Sequence, residues 1–211
     1  MSQRASQAKP PEAENSGDPA MDKPKRPRLV VGISGASGVI LGIRLLEILR
    51  PMDLETHLVL SPAARVTIAQ ETRWKVSDVQ DLADVAYNYS DIGAAIASGS
   101  FATMGMIVAP CSIKTLSAIA NSYADNLLSR AADVTLKEGR PLVLVVREAP
   151  LHRGHLRLMN HAAEIGAILF PPVPAFYAGP QNLDDIVDNI AGRILARIGI
   201  ENDRYKKWKE E

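Results

Sequence analysis

Arg28-Leu-Val-Val-Gly-Ile33 runs directly into Ser34-Gly-Ala-Ser-Gly38 and then into Val39-Ile-Leu-Gly-Ile-Arg-Leu-Leu-Glu-Ile-Leu49. The first segment is apolar and β-branched, the pattern of a buried strand, and the second is a glycine turn. In the third, Ile40, Ile43, Leu46 and Leu49 recur at helical spacing. Strand, tight turn and helix in that order open a parallel α/β unit, since parallel strands need a crossover that is usually helical.

The same unit repeats along the chain. Thr56 to Leu60 is the next apolar run, and Ser61-Pro62 opens a second helix, because proline is tolerated in a first turn. Met106-Ile-Val-Ala109 leads into Pro110-Cys111-Ser112 and a helical stretch through Leu116 and Ile119. Leu142-Val-Leu-Val-Val146 leads into Arg147-Glu148, Ala167-Ile-Leu-Phe170 leads into a proline-rich loop, and a last helix is predicted from Asp184 to Ile198. Short buried strands alternating with helices predict an α/β fold, a Rossmann-like, doubly wound parallel sheet in a single domain. Ligands of such sheets bind beyond the carboxyl ends of the strands. There the sequence supplies Gly35 and Ser37, Ser61, Ser112 and Thr115, Arg147 and Glu148, and Tyr177, all of which suit a phosphate or a flavin.

Composition narrows the function. The 211 residues include 24 basic and 24 acidic ones, so there is no electrostatic footprint for nucleic acid or an anionic membrane, and a bound phosphate must be held locally. Cys111 is the single cysteine, which excludes an intrachain disulfide, and no Cys and His share the spacing of a zinc site. Residues 1–27 are rich in Pro, Lys, Glu, Ser and Ala and read as a disordered extension before a domain spanning 28–211. No apolar signal-peptide core precedes Arg28, Glu12, Glu14 and Asp18 argue against a transit peptide, and the apolar runs are too short for a bilayer. A cytoplasmic protein is expected.

Several residues invite specific chemistry. The Gly35-Ala36-Ser37-Gly38 turn sits where a helix begins, so its N–H groups and the helix dipole suit a phosphate; the plainer reading is a turn in which glycine relieves strain. Glu55 mimics the acid that grips an NAD ribose, but the glycine spacing is not G-x-G-x-x-G. Pro110-Cys111-Ser112-Ile113-Lys114-Thr115 supplies two hydroxyls at a second helix start, and its cysteine reads as a small hydrophobe rather than a nucleophile. His152, His155 and His161 lack the carboxylates of a metal triad. Asp184-Asp185-Ile186-Val187-Asp188 spells the D-D-x-x-D of magnesium-dependent prenyl synthases, yet acids in a first helical turn answer to the macrodipole and to capping. Lys137, Arg147, Tyr177 and Arg193 together offer a grip for a second phosphorylated ligand, although each alone reads as a solvated or ion-paired side chain.

From Arg28 to Trp208 the chain resembles the UbiX family of flavin prenyltransferases. The likeness is carried by Val31-Gly-Ile-Ser-Gly-Ala-Ser-Gly38, Glu55-Thr-His-Leu-Val-Leu-Ser61, Ala97-Ser-Gly-Ser-Phe101, Ala109-Pro-Cys-Ser-Ile-Lys-Thr115 and Arg130-Ala-Ala-Asp-Val134. Leu136-Lys-Glu138, Arg147-Glu-Ala-Pro-Leu-His152, His155-Leu-Arg-Leu-Met159 and Pro171-Pro-Val-Pro-Ala-Phe-Tyr177 continue it, and the His155 segment is similar to that of bacterial ubiquinone-pathway members.

The resemblance implies that Gly35, Ala36, Ser37, Ser61, Ser112, Ile113, Lys114, Thr115 and Arg147 hold FMN. It implies that Ser98, Gly99, Lys137, Tyr177 and Arg193 receive dimethylallyl phosphate, with Glu71 and Glu148 near the reaction. It further implies a dodecamer with active sites between subunits, and a UbiD-type decarboxylase as recipient of prenylated FMN. No metal is expected, because Lys137, Arg193 and the Tyr177 hydroxyl would stabilise the departing phosphate. Glu148 is the expected handler of the proton lost on ring closure. Two other classes share the architecture. A flavin-dependent peptidyl-cysteine decarboxylase would carry Pro-x-Met-Asn-x-x-Met-Trp, whereas Met159-Asn160 occurs here without the flanking proline or tryptophan. A noncatalytic FMN carrier gives no reason for the cations beyond the flavin phosphate site.

Overall fold

The computed structural model describes residues 26–209. Of the extension expected over 1–27, residues 1–25 lie outside the described residues. Arg26 and Pro27 already engage the domain: Arg26 donates to Asp84 at 2.8 Å, and the Pro27 carbonyl accepts from the Glu55 N–H at 2.8 Å.

The strands are β1 (Arg28–Ile33), β2 (Glu55–Leu60), β3 (Val85–Tyr87), β4 (Gly105–Cys111), β5 (Leu142–Val146) and β6 (Ile168–Leu169). All pair in parallel, in the order β3-β2-β1-β4-β5-β6. The helices are α1 (Val39–Leu49), α2 (Pro62–Glu71), α3 (Val76–Gln80), α4 (Ile113–Ala120), α5 (Leu127–Lys137), α6 (Arg153–Glu164) and α7 (Leu183–Arg197). This is the doubly wound sheet expected from the strand-turn-helix repeats.

Strand alternation splits the core into two. Leu29, Val31, Ile33, Leu58, Leu60, Ile107, Val143 and Val145 face α1 and α7, whereas Val30, Val59, Met106, Val108, Leu142, Leu144 and Val146 face α4 and α5. Both faces are therefore covered, which is why these strands read as continuous apolar runs. Five helices begin on a side-chain cap: Ser61, Ser112, Asn126, His152 and Asn182 each accept from a backbone N–H two or three residues on. α7 begins one residue before its predicted start and ends one before its predicted end.

Candidate active site

At the carboxyl edge the chain leaves β1 toward β2 and leaves β4 in the opposite direction toward β5. The strand order thus reverses between β1 and β4, and the crevice that opens there is where such sheets bind nucleotides. Three contacts fix the β1 turn in it. The buried Ser34 hydroxyl donates to the Pro110 carbonyl and accepts from the Ser112 N–H, both at 2.8 Å, so it ties the β1 turn to the β4 turn. Gly35 packs so closely on Ala63 of α2 that a Cβ there would collide with it. Gly38 takes φ 95°, and its N–H donates to Glu71 Oε2 at 2.8 Å. Helix α2 therefore spans the turn, touching Gly35 near its start and Gly38 at its end.

The Glu71 contact refines the phosphate-cradle expectation. A carboxylate already sits on the Gly38 N–H, and the Ala36 N–H is turned to the Ser34 carbonyl at 2.9 Å. The Ser37 hydroxyl and the hydroxyl-capped starts of α2 and α4 are left to meet a phosphate. Ser61 accepts from the Ala64 N–H at 3.1 Å and keeps its own proton to donate. Ser112 accepts from the Thr115 N–H at 3.3 Å and donates to the Thr115 hydroxyl at 3.1 Å, which leaves the Thr115 proton free. Ile113 and Lys114 complete that first turn of α4, with Lys114 exposed. Clefts of about 530 Å³ and 570 Å³ flank α4, and Lys114 and Ser117 line both. Neither is lined by Ser37, whose turn, from Gly35 to Gly38, is half-buried.

Further along the same edge, the Arg147 N–H donates to the Cys111 carbonyl at 3.1 Å, which sets Arg147 and Glu148 beside the β4 turn. Both side chains are exposed, and Glu148 Oε1 accepts from the Ala149 N–H at 3.0 Å instead of pairing with Arg147. The Arg193 guanidinium lies over the Phe170 ring at 5.6 Å, just past β6. Tyr177, 43% exposed, meets the Trp208 ring edge to face at 5.0 Å. Trp208 was not among the expected site residues, since it closes a segment without periodicity.

Ser98, Gly99 and Lys137 are elsewhere. Lys137 ends α5, which runs back against the strands, so its ammonium is at the amino edge, where it pairs with Glu138. The Gly99 carbonyl accepts from Arg140 at 2.8 Å, and Phe101 meets His57 edge to face and lies under the Arg28 guanidinium, near the beginnings of β2 and β1. The seven residues of β4 separate the two edges by about 20 Å at 3.3 Å per residue. Within one chain the structure therefore gathers the residues expected to hold FMN and keeps this part of the prenyl-donor set apart from them.

Competing readings lose their footing in the same geometry. Glu55 begins β2 at the amino edge, bound to Arg28 at 3.3 Å, and cannot reach a ribose in the crevice. Cys111 is fully buried, and burial pushes its thiol far above the ordinary range. Asp184 and Asp188 pair with Arg44, Asp188 also with Arg204, and Asp185 accepts from the Gln181 N–H at 2.7 Å. Those aspartates are structural ties between α7 and its neighbours. His152 is the cap of α6, its ring 3.5 Å from that of His155.

An FMN fits this chemistry: a glycine that only a backbone this close to α2 requires, two hydroxyl-capped helix starts, and Ser37 and Arg147 at one crevice. The residues missed in sequence are Ser34, indistinguishable there from Ser37, and Trp208, which meets Tyr177.

Residues 18–195 match the flavoprotein family. The chain is 59% identical over 185 residues to the flavin prenyltransferase UbiX of Escherichia coli strain K12, covering 86% of this chain and 98% of that one. The crystal structure of AnUbiX in complex with FMN and dimethylallyl pyrophosphate superposes with a TM-score of 0.86 at 47% identity, over 88% of this chain and 99% of that one. A dodecameric FMN-dependent UbiX-like decarboxylase from Escherichia coli O157:H7 gives 0.85 at 49% identity, over 87% and 100%. With its crevice and its relatives in agreement, this chain belongs to the flavoprotein family and, within it, to the UbiX flavin prenyltransferases.

Proposed function

We propose that this flavin prenyltransferase holds reduced FMN with the Gly35-Ala36-Ser37 turn, Ser61, Ser112 to Thr115 and Arg147, and joins to it a dimethylallyl group from dimethylallyl phosphate. The observation that carries the assignment is the meeting of the β1 and β4 turns at the strand reversal, tied through Ser34. Reduced FMN, when bound, supplies ring nitrogen 5 as the nucleophile. The chain's own residues do the rest. Ser37, Ser61 and Thr115 offer hydroxyl donors to the flavin phosphate, and Arg147 a fixed positive charge. Lys137, Arg193 and Tyr177 grip the donor phosphate and stabilise its departure without a metal. Tyr177 and Trp208 present π faces that exclude water and favour a cationic allyl group. Glu148, free of Arg147, accepts the proton lost as the new ring closes, and Glu71 holds the Gly38 end of the turn.

Because Lys137, Ser98 and Gly99 stand at the opposite edge from Ser37, a whole site needs Lys137 from a second copy. The dodecameric relative supports such an assembly. The product passes to a UbiD-type decarboxylase, and a reducing cytoplasm suits the free, buried Cys111. The test is anaerobic incubation of dithionite-reduced FMN with dimethylallyl phosphate. A changed flavin spectrum and a mass gain of one prenyl group are expected, whereas bound but unaltered FMN would leave only a carrier.

A further inference from the structure

At the amino edge, the turn after α5 grips the Ser98–Phe101 loop at several points. Gly139, at φ 66°, reverses the chain so that residues on either side of it face the same loop. The Arg140 N–H donates to the Thr135 carbonyl at 2.9 Å, closing the turn. The Arg140 guanidinium then forks onto two carbonyls, Gly99 at 2.8 Å and Phe101 at 2.9 Å. On the other side of Gly139, Glu138 pairs with the Lys137 ammonium, and that hydrogen bond, with the lysine's charge, holds the Glu138 carboxyl below its usual range. The pair sits directly on Gly99: a Cβ there would strike Glu138 Oε1 and stand 2.8 Å from Lys137 Nζ. Gly99 has no positive φ, so its missing side chain serves the approach of these two groups and not the backbone.

We propose that Glu138 and Arg140 are positioning residues that hold the Lys137 ammonium and the Gly99 backbone in one arrangement for the phosphate of the prenyl donor. The inference rests on the reading that Lys137 receives that phosphate. A lysine carries four rotatable bonds, and fixing them beforehand removes entropy that binding must otherwise supply. An ammonium has three protons, so Lys137 keeps one on Glu138 while offering another to the phosphate. Arg140 fixes the opposite wall through a planar fork that lysine cannot reproduce.

The test uses the full-length oligomer carrying Lys137→Ala, Glu138→Ala, both together, Arg140→Lys or Gly99→Ala. Binding of dimethylallyl phosphate to protein loaded with oxidised FMN is measured by calorimetry, with KM and kcat measured separately. Glu138→Ala should weaken donor binding and raise KM about fivefold, the scale of an exposed ion pair, with kcat and FMN affinity unchanged. The double variant should be no weaker than Lys137→Ala alone, because Glu138 acts through the lysine. Gly99→Ala, whose Cβ displaces the flexible ends of both Glu138 and Lys137, should weaken donor binding at least as much as Glu138→Ala does. Wild-type affinity in Glu138→Ala and Arg140→Lys, beside a weakened Lys137→Ala, overturns the positioning role. So does a lowered KM in Glu138→Ala, which would make that carboxylate a competing anion. Wild-type affinity in Lys137→Ala instead overturns the reading on which the inference rests.

Discussion

Ser37 and Glu148 separate two tasks at one sheet edge, on turns that follow β1 and β5 and so lie two strand spacings, about 10 Å, apart. Ser37→Asp sets a negative charge where the flavin phosphate belongs, and should yield colourless protein with FMN affinity lowered more than about tenfold, as flavin absorbance after gel filtration will show. Purification with a full complement of FMN would refute the phosphate assignment. Glu148→Gln keeps the side-chain shape and removes the base. It should still bind FMN and take up the prenyl group while ring closure slows by about 100-fold, scored by mass and absorbance on stopped reactions. His57 makes a different forecast. Its ring is buried, hydrogen-bonded through Nδ1 to Tyr87 at 3.0 Å, with Nε2 2.9 Å from Glu55 but not aligned as a hydrogen bond. Burial lowers its pKa more than Glu55 raises it. The unfolded chain therefore binds a proton below about 6.5 that the folded chain refuses, so stability should fall as pH drops from there to the lowered folded value, by at most about 1.4 kcal/mol per pH unit. Urea midpoints for the wild type and His57→Gln across that window will show whether the slope belongs to this ring.

Among the elements, α7 shows how a motif deceives when its partners are out of sight. Its D-D-x-x-D acids are spent on Arg44, Arg204 and the Gln181 N–H. Prenylation should therefore proceed at an undiminished rate in excess EDTA, and Asp184→Asn should leave turnover unchanged; activity that vanishes with EDTA and returns with Mg²⁺ would reverse this. The strands β1, β2, β4 and β5 are legible in sequence because both faces are covered, which makes them unbroken apolar runs closed by turn residues. β3 offers only three half-exposed residues and leaves no period to read, whereas α6 is amphipathic and packs Leu158, Met159 and Ala162 on the core. α5 is amphipathic, but it follows the polar stretch Asn121 to Asn126, with no apolar strand before it to announce a helix. Without α5, nothing in the residue spacing reveals that Lys137 returns to the amino edge. The carboxyl-edge residues are legible from strand ends alone and Lys137 as one of a set of cations and a phenol suited to a second phosphate, whereas Ser98 and Gly99 enter only through resemblance to a family.

For the whole molecule, the division of the predicted site between two sheet edges makes a direct demand. Copies bearing Ser37→Asp and copies bearing Lys137→Ala should each be inactive alone. Mixed by unfolding and refolding together, they should recover up to about a quarter of the activity, if each site takes one residue set from each of two randomly drawn copies. No recovery, with intact oligomers on a sizing column, would mean that one chain holds its own site. The same assembly must close without extending its sheet. β3 pairs over three residues and β6 over two, so neither margin presents a ladder of unpaired amides long enough to recruit another strand. A second copy is left to meet this one through helices and loops, and strand addition, the open-ended growth that turns stacked sheets into fibres, is closed off at both margins.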